Sequence, residues 1–437
     1  MKKTHPNLWY ISAVFTILTA HFAIAEPGTR VTTSVATQNN GDWCNWLKNK
    51  PGLLYDNKDN PYVQKFQLAG RLHWQYAYVD GSADTPGGTQ NFHYDTEEIR
   101  RLRLESKLAF LHYFMLGVSI DLEDDIAPQG LEGDHDVQYA DIYSATLSFD
   151  AAKAFDISAL DGFKISIGKH KVSSTAEFAL SSKKIKTVER SAISNFTSPP
   201  SSTGLVVAVE KGRWVFELGA FSGDTEPEFS EFDSANDYFF TLHVGRELEN
   251  SVYFDQARID LRMIVNGDDT KNATSNPSSP GSYNLDWVAS LGFQAKKGRI
   301  ALLTDLVYGE NGDDFNTTGA ERPNREGSFW SIVLLPSYWV IEDRLEAVFR
   351  YQYANSSRPE GIRMNSRYAR RAGGVKSIPS LEGGRGDEHH STYLGLNYYL
   401  CGDNTKVMIG VEYDDLDSDG VDIYQGYTAW AAFRFYF

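Results

Sequence analysis

The sequence predicts a closed, antiparallel transmembrane β-barrel of about sixteen strands, with short turns at one end and long loops at the other. Three observations predict it. Apolar residues recur at every second position while charged ones sit mid-strand on the opposite parity. Connections alternate between tight and long along the chain. The chain ends TAWAAFRFYF, with Phe433, Phe435 and Phe437 on one parity. A soluble sandwich would also bury one face of each strand. It would not explain loop asymmetry together with charges facing long apolar rows, which a barrel that is apolar outside and wet inside explains.

The elements follow in order. Residues 1–25, MKKTHPNLWYISAVFTILTAHFAIA, carry Lys2 and Lys3, a short apolar run and an Ala23-Ile24-Ala25 site, and read as a cleaved secretory leader. Residues 26–62 form a short N-terminal segment containing DWCNWLKNKPGLLY, expected at the periplasmic side. It is too short to fold alone without help. From residue 63 to 437 the chain reads as barrel. In FQLAGRLHWQYAYVD, Leu68, Leu72, Trp74, Tyr76 and Tyr78 alternate with Gln67, Arg71, His73 and Gln75. In RLRLESKLAF, Leu102, Leu104, Leu108 and Phe110 alternate with Arg101, Arg103, Glu105 and Lys107. ARIDLRMIV and DRLEAVFRYQY repeat the pattern.

Tight turns are expected at Lys211-Gly212, Lys297-Gly298, Ile341-Glu342-Asp343 and Cys401-Gly402-Asp403-Asn404. Long loops are SGDTEPEFSEFDSAND, NGDDTKNATSNPSSPG and GENGDDFNTTGAERPN, which are rich in Asp, Gly, Ser and Asn. No later stretch approaches the apolar length of a membrane helix. The only cysteines are Cys44 and Cys401. They either pair or stay free. The topology puts both on the turn side, so a disulfide tying the N-terminal segment to the barrel base is the expectation.

The stretch Ile165 to Phe196, ISIGKHKVSSTAEFALSSKKIKTVERSAISNF, resembles the phosphate-selective porin O and P family. Gly168, Lys171, Glu177, Ser181, Ser182, Glu189, Arg190 and Ser191 stand at the motif positions, and Ser173 replaces the usual Pro. EEIRRLRLESKLAF, Asp343 to Asn355 and Gly386 to Leu400 add to the likeness. The resemblance implies an outer-membrane porin exported through the periplasm: a trimer of sixteen-stranded barrels passing small anions such as phosphate. It also implies a third extracellular loop, here Ser173 to Thr203, folded inward to narrow the pore. Lys183, Lys184, Lys186 and Arg190 would then stand at the constriction.

Strand parity places Arg71, Arg101, Arg103, Lys107, Arg258, Arg262, Arg344, Arg350 and Arg434 on the lumen side. Arginine forks suit the transfer of oxyanions between weak sites. Glu105, Asp260 and Glu346 share that parity, so cross-strand ion pairs are the competing reading.

The net charge is −16, yet Ser356 to Gly386 holds seven basic residues against two acids. Arg363, Arg367, Arg370, Arg371 and Lys376 in this stretch read as a vestibule that concentrates anions, or as a contact with lipopolysaccharide phosphates and outer-membrane lipid. Nucleic acid is excluded as a partner by this topology. The acids Asp224, Glu226, Glu228, Glu231, Asp233 and Asp237 crowd one outer loop.

No cofactor or metal is implied. DLDSDG at Asp415 to Gly420 lacks the closing Glu of an EF-hand, although weak divalent binding there stays open. Asn272-Ala273-Thr274 fits a sequon without consequence in such a loop, and His389 and His390 are expected to face opposite ways. Without G-x-S-x-G or comparable spacing, an enzyme is not expected. A weakly selective general porin, or a surface adhesin or structural barrel, remain the alternatives.

Overall fold

A computed structural model describes residues 42–437 apart from 86, 123–136, 224–226, 231–237, 268–284, 313–323, 365, 366, 379, 380 and 382. The expected leader, residues 26–41, the sequon and all of the acidic loop cluster but Glu228 lie outside the described residues.

Sixteen strands make the wall. The first half is β1 (Val63–Thr85), β2 (Gly88–Phe110), β3 (Phe114–Asp121), β4 (Asp141–Asp150), β5 (Gly162–His170), β6 (Ser202–Lys211), β7 (Trp214–Ser222) and β8 (Tyr238–Glu247). The second half is β9 (Gln256–Asn266), β10 (Leu285–Lys297), β11 (Ile300–Asn311), β12 (Gly327–Ile341), β13 (Leu345–Ser356), β14 (Glu388–Tyr399), β15 (Thr405–Ser418) and β16 (Val421–Tyr436). Each pairs antiparallel with its chain neighbours, and β16 closes on β1 from Gln425↔Ser82 to Tyr436↔Arg71. Closure leaves no unpaired edge along the spanning wall, the condition for crossing lipid with strands.

The tight turns fall where the alternation places them, and the long connection from Ser356 to Glu388 joins β13 to β14. Two outer connections depart from the long-loop pattern. β1 and β2 are 23 residues each and meet in a tight turn. β15 and β16 likewise meet at Asp419-Gly420, where both residues adopt positive φ. A bilayer needs only about 9–11 tilted residues, so the β1–β2 hairpin projects well past the membrane.

Outward positions form the apolar belt, with Leu104, Leu218, Leu291, Leu306 and Leu394 among the exposed residues. Trp214, Phe216, Tyr338 and Tyr398 lie toward the turn end, and Tyr238, Tyr308, Trp330 and Tyr413 toward the loop end. Such aromatic girdles sit at lipid–water interfaces. The packed core lies inside the barrel, because in-folded loops supply apolar side chains to the inner wall. Ile193, Phe196 and Ile362 join Phe221, Phe239, Phe329 and Val333 in one cluster. Tyr368, Ala369, Ala372 and Ile378 join Ala77, Val79, Phe92, Tyr424 and Trp430 in another.

Ahead of the wall, α1 (Asp42–Lys48) and a short strand, Leu53–Asp56, lie at the turn end. Cys44 is disulfide-bonded to Cys401, with Cα atoms 5.5 Å apart, and Leu47 packs with Phe435 and Phe437. The short strand pairs with β1 at Lys65 to Gln67, on the edge that β16 leaves uncovered below Arg71. No described helix is long and apolar enough to cross a membrane.

Candidate functional site: the lumen and two in-folded loops

The connection from β5 to β6 turns into the barrel, as expected for the third loop. A bend at Gly168 prepares it: φ is +122°, and a Cβ there would meet the Ala145 carbonyl oxygen at 2.0 Å, so only glycine fits. Two short helices follow, α2 (Ala176–Ala179) and α3 (Ala192–Thr197), N-capped by Thr175 and Ser191. Asp305 on β11 accepts the backbone N–H groups of Ala176 and Glu177, each at 2.9 Å.

The family-like motif residues lock the loop to itself. Glu177 accepts from Ser191 N at 3.2 Å, from Ser194 Oγ at 2.8 Å and from Ser191 Oγ, and Arg350 stands 3.6 Å away. Arg190 donates to Leu180 O at 2.7 Å and lies over the Phe178 ring. Lys171 donates to the carbonyls of Phe178 and Leu180. A buried carboxylate with this many donors stays fully satisfied, which offsets its desolvation.

The far wall then grips the loop. Arg434 on β16 donates to the carbonyls of Ser182 and Val188. Lys406 on β15 donates to Ile185 O at 2.9 Å, Asn397 on β14 to Lys186 O at 2.8 Å, and Arg350 on β13 to Glu189 O at 2.7 Å. Gln352 accepts from Ile193 N. From β2, Arg100 meets Glu189 at 2.8 Å. The loop therefore crosses the lumen and is fastened on both sides. Of the four constriction residues, Lys183 bonds Glu105 at 3.2 Å and Lys186 bonds Glu346 at 2.6 Å, Arg190 is buried, and Lys184 stands exposed.

The lumen residues separate by partner. Arg71 pairs with Glu105 and donates to Ser182. Arg103 forks onto Asp121 at 2.8 Å and lies 3.3 Å from the Tyr143 ring centroid. Arg350 pairs with Glu412. Arg258 bonds Asp260 at 2.9 Å and Glu247 at 3.2 Å, and Arg262 lies 3.1 Å from His243. Arg101 is buried beside His73. Lys107 is exposed toward the turn end. Arg344 differs from expectation: it falls in the β12–β13 turn, because β13 begins only at Leu345.

Register sets the arginines side by side. Arg71 on β1 faces Arg103 on β2, and His73 is flanked by Arg101 on β2 and Arg434 on β16. Four guanidinium groups thus occupy neighbouring rungs of three adjoining strands.

The connection from β13 to β14 also turns inward. Ile362–Arg363 pairs with Arg385–Gly386 as a two-stranded ribbon, and α4 (Arg367–Val375) lies between them. Glycine and arginine in that stretch gave no helical reading, but Tyr368, Ala369, Ala372 and Gly373 bury one face against the projecting wall. Arg367 and Arg371, one turn apart, both reach Glu98 at 3.2 Å. Tyr368 O–H donates to Glu98, and Tyr94 O–H to the Tyr368 carbonyl. Lys376 is half-buried near Gln90, which donates to its carbonyl.

The family model for phosphate-selective porin O and P matches residues 66–272, which include β1 to β9, the third loop and its motif. The match spans a little under half of the chain. The like segments at Asp343 to Asn355 and Gly386 to Leu400 lie beyond that match. No curated protein matches the sequence.

Among solved structures, the outer membrane channel DcaP of Acinetobacter baumannii is similar at 13% identity, covering 88% of this chain and 100% of that one, with TM-score 0.50. OmpT, an outer membrane protein of Vibrio cholerae, is similar at 11% identity, with 88% and 99% covered and TM-score 0.50. OprB of Pseudomonas putida is similar at 11% identity, with 85% and 94% covered and TM-score 0.51. The shared feature is the closed barrel. The family match and the fold point to an outer-membrane porin, a channel rather than an enzyme.

In this porin several site residues escape strict alternation. A bulge at Arg100 inserts one residue opposite the His73–Trp74 step, so Arg100 and Arg101 both reach inward partners. Beyond the bulge Glu98 takes an inward position. Glu177, Glu189 and Asp305 act across tertiary distances that no local pattern encodes. Lys406 was legible, since Val407, Val411 and Tyr413 are outward and fix its parity.

At the turn end a cavity of about 280 Å³ is lined by Lys48, Lys50, Lys107, Lys183 and Glu105, below the third loop. Asp415, Asp417 and Asp422 bring carboxylates within 4.8 Å of one another at the β15–β16 hairpin, as crowded exposed acids often do without an ion. His389 is buried and His390 half-exposed, so the pair faces opposite ways.

Proposed function

We propose that the barrel is an anion-preferring porin for passive diffusion of small anions, with phosphate the solute that the family name suggests. The observation that carries this reading is the set of four guanidinium groups, Arg71, Arg101, Arg103 and Arg434, on adjoining rungs level with the third loop. Like charges placed opposite one another destabilise a sheet. Their placement beside a constriction argues for a positive field at the narrowest level, where low-dielectric walls strengthen it. Lys184 adds an exposed charge on the loop itself.

Planar bilayer recording under a KCl gradient tests this reading. The expected reversal potential has the sign of chloride preference, and orthophosphate reduces chloride current at low salt. A cation-selective reversal potential overturns it. The ion pairs of Arg71, Arg103 and Arg350 favour the second reading, a weakly selective general porin. A reversal potential near zero supports that reading instead.

The same proposal has the porin exported through the periplasm, cleaved after Ala25 and assembled as a homotrimer in outer-membrane lipid with lipopolysaccharide around its belt. Amino-terminal sequencing that begins at Glu26, and native mass spectrometry, check these points.

A further inference from the structure

The outer apolar surface does not stop at the last strand. At the turn end of the seam, β16 finishes against Arg71, and the strand Leu53–Asp56 takes over the β1 edge, setting Tyr55 opposite Phe66. Phe66 and Leu68 share the outward parity of β1, so Tyr55 stands on the outer surface beside them. The ring of Phe437 lies across Gly70 of the same row and leaves no room for a Cβ there. Phe435 and Phe437, the outward end of β16, pack in turn against Leu47, Cys44 and Cys401. The helix α1 is therefore held at the outer side of the rim, by its disulfide and by these rings.

Helical spacing decides which way the rest of α1 faces. Cys44 and Leu47 are each 2% exposed and form the docked face. Lys48 lines the turn-end cavity together with the lumen-side residues Gln67, Lys107 and Lys183. At about 100° per residue, Trp43 and Trp46 fall one turn apart on the side away from Lys48. They point away from the lumen, and they are 47% and 57% exposed. Two large indoles half in the open, next to an apolar outer surface, mark a face that meets something less polar than water.

We propose that α1 is an interfacial foot of the barrel, with Trp43 and Trp46 inserted into the headgroup–acyl boundary of the phospholipid leaflet at the turn end. The face continues the outward row of Tyr55, Phe66 and Leu68, and with it the turn-end girdle of Tyr338 and Tyr398. An indole pairs an apolar body with one N–H donor, which suits a boundary that is oily on one side and wet on the other. A free helix of seven residues would neither fold nor bind a bilayer by itself. Here the bond to Cys401 and the packing of Leu47 have already ordered it, so insertion carries little further entropic cost. The inference rests on the barrel crossing a membrane and not on its ion preference.

The test uses the full, disulfide-bonded barrel in phosphatidylcholine vesicles whose acyl chains carry bromine either near the headgroup or near the chain end. Fluorescence of the wild type minus that of a Trp43→Phe, Trp46→Phe variant isolates the two indoles. Shallow bromines should quench this difference about twofold or more, and deep bromines less, for side chains seated about 5–10 Å into the boundary. Quenching by acrylamide from the water without quenching by bromine means a solvated helix and overturns the proposal. Resistance to both quenchers means that protein covers the face, either the preceding residues or a second copy of the chain, and overturns it equally. Stronger quenching from the deep bromines puts the indoles in the hydrocarbon core and also counts against it.

Heat-modifiable migration checks folding of the variant. If the variant does not fold, the wild type alone decides, through labelling with a photoactivated diazirine phospholipid. After reduction and digestion, adducts are expected on the tryptic peptide ending at Lys48; their absence, with belt peptides labelled, rejects the foot. Reversal potentials should be the same for wild type and variant, so loss of the lipid contact reads out separately from loss of ion preference.

Discussion

The third loop and the ribbon between β13 and β14 handle buried positive charge in opposite ways. In the third loop Lys171, Lys183, Lys186 and Arg190 each reach a carboxylate or a carbonyl oxygen. In the ribbon Arg363 Nε has no such partner among the described residues, nor has Nε of Arg370 on the adjoining helix. The helix α4 stands between these extremes, since Glu98 neutralises Arg367 and Arg371 while Arg370, on the same helix, faces away from it. Density of basic residues in the sequence thus says little about local field. What decides it is whether an acid on another element reaches in.

The comparison breaks most severely at Glu177. Glu177→Ala removes the acceptor for Ser191 and Ser194 and one of the two carboxylates beside Arg350, which keeps Glu412, a loss of about 3–5 kcal/mol for a buried charged network. The melting temperature should drop by circular dichroism, and single-channel conductance should rise as the loop loosens. Unchanged conductance would mean that the wall contacts alone hold the loop.

Replacing Cys44 and Cys401 by serine sets a reference remote from both loops. The expected loss is about 2–4 kcal/mol in urea unfolding, with conductance unchanged.

Glu98→Gln converts the helix to the condition of the ribbon, with Arg367 and Arg371 no longer neutralised. A cost of about 1–3 kcal/mol in docking the helix should appear as faster trypsin cleavage after Arg367 or Arg371. Smallest of all, Lys184→Gln touches an exposed side chain, so stability should change by less than about 0.5 kcal/mol. The proposed chloride preference should fall slightly in reversal-potential measurements.

Much of the wall was legible because its physics is local. Alternation at Leu102 to Phe110 fixes the inward parity of Arg101, Arg103 and Glu105, and the tight turns punctuate it. The long connection after Ser356 was legible for the same reason. The third loop's inward course came through family likeness, whereas its fastening came from Asp305, Arg350, Lys406 and Arg434, which lie 100 or more positions away.

The bulge at Arg100 and the helix at Arg367–Val375 were hidden by different causes. One adds a single residue to a regular period. The other draws its stability from docking Tyr368 and Ala372 onto β1 and β2 rather than from helix propensity, which two glycines weaken.

The bond between Cys44 and Cys401 has a topological consequence. It encloses β1 to β14 in one covalent ring spanning 357 positions and leaves β15 and β16 outside. The seam where the wall closes, β16 against β1, joins a strand outside the ring to one inside it. Since Cys44 lies just ahead of β1 and Cys401 in the β14–β15 turn, the bridge acts as a clasp across that seam. Parting the first and last strands at the turn end would require the clasp to stretch with them, so any lateral opening of the finished barrel is confined to its outer end.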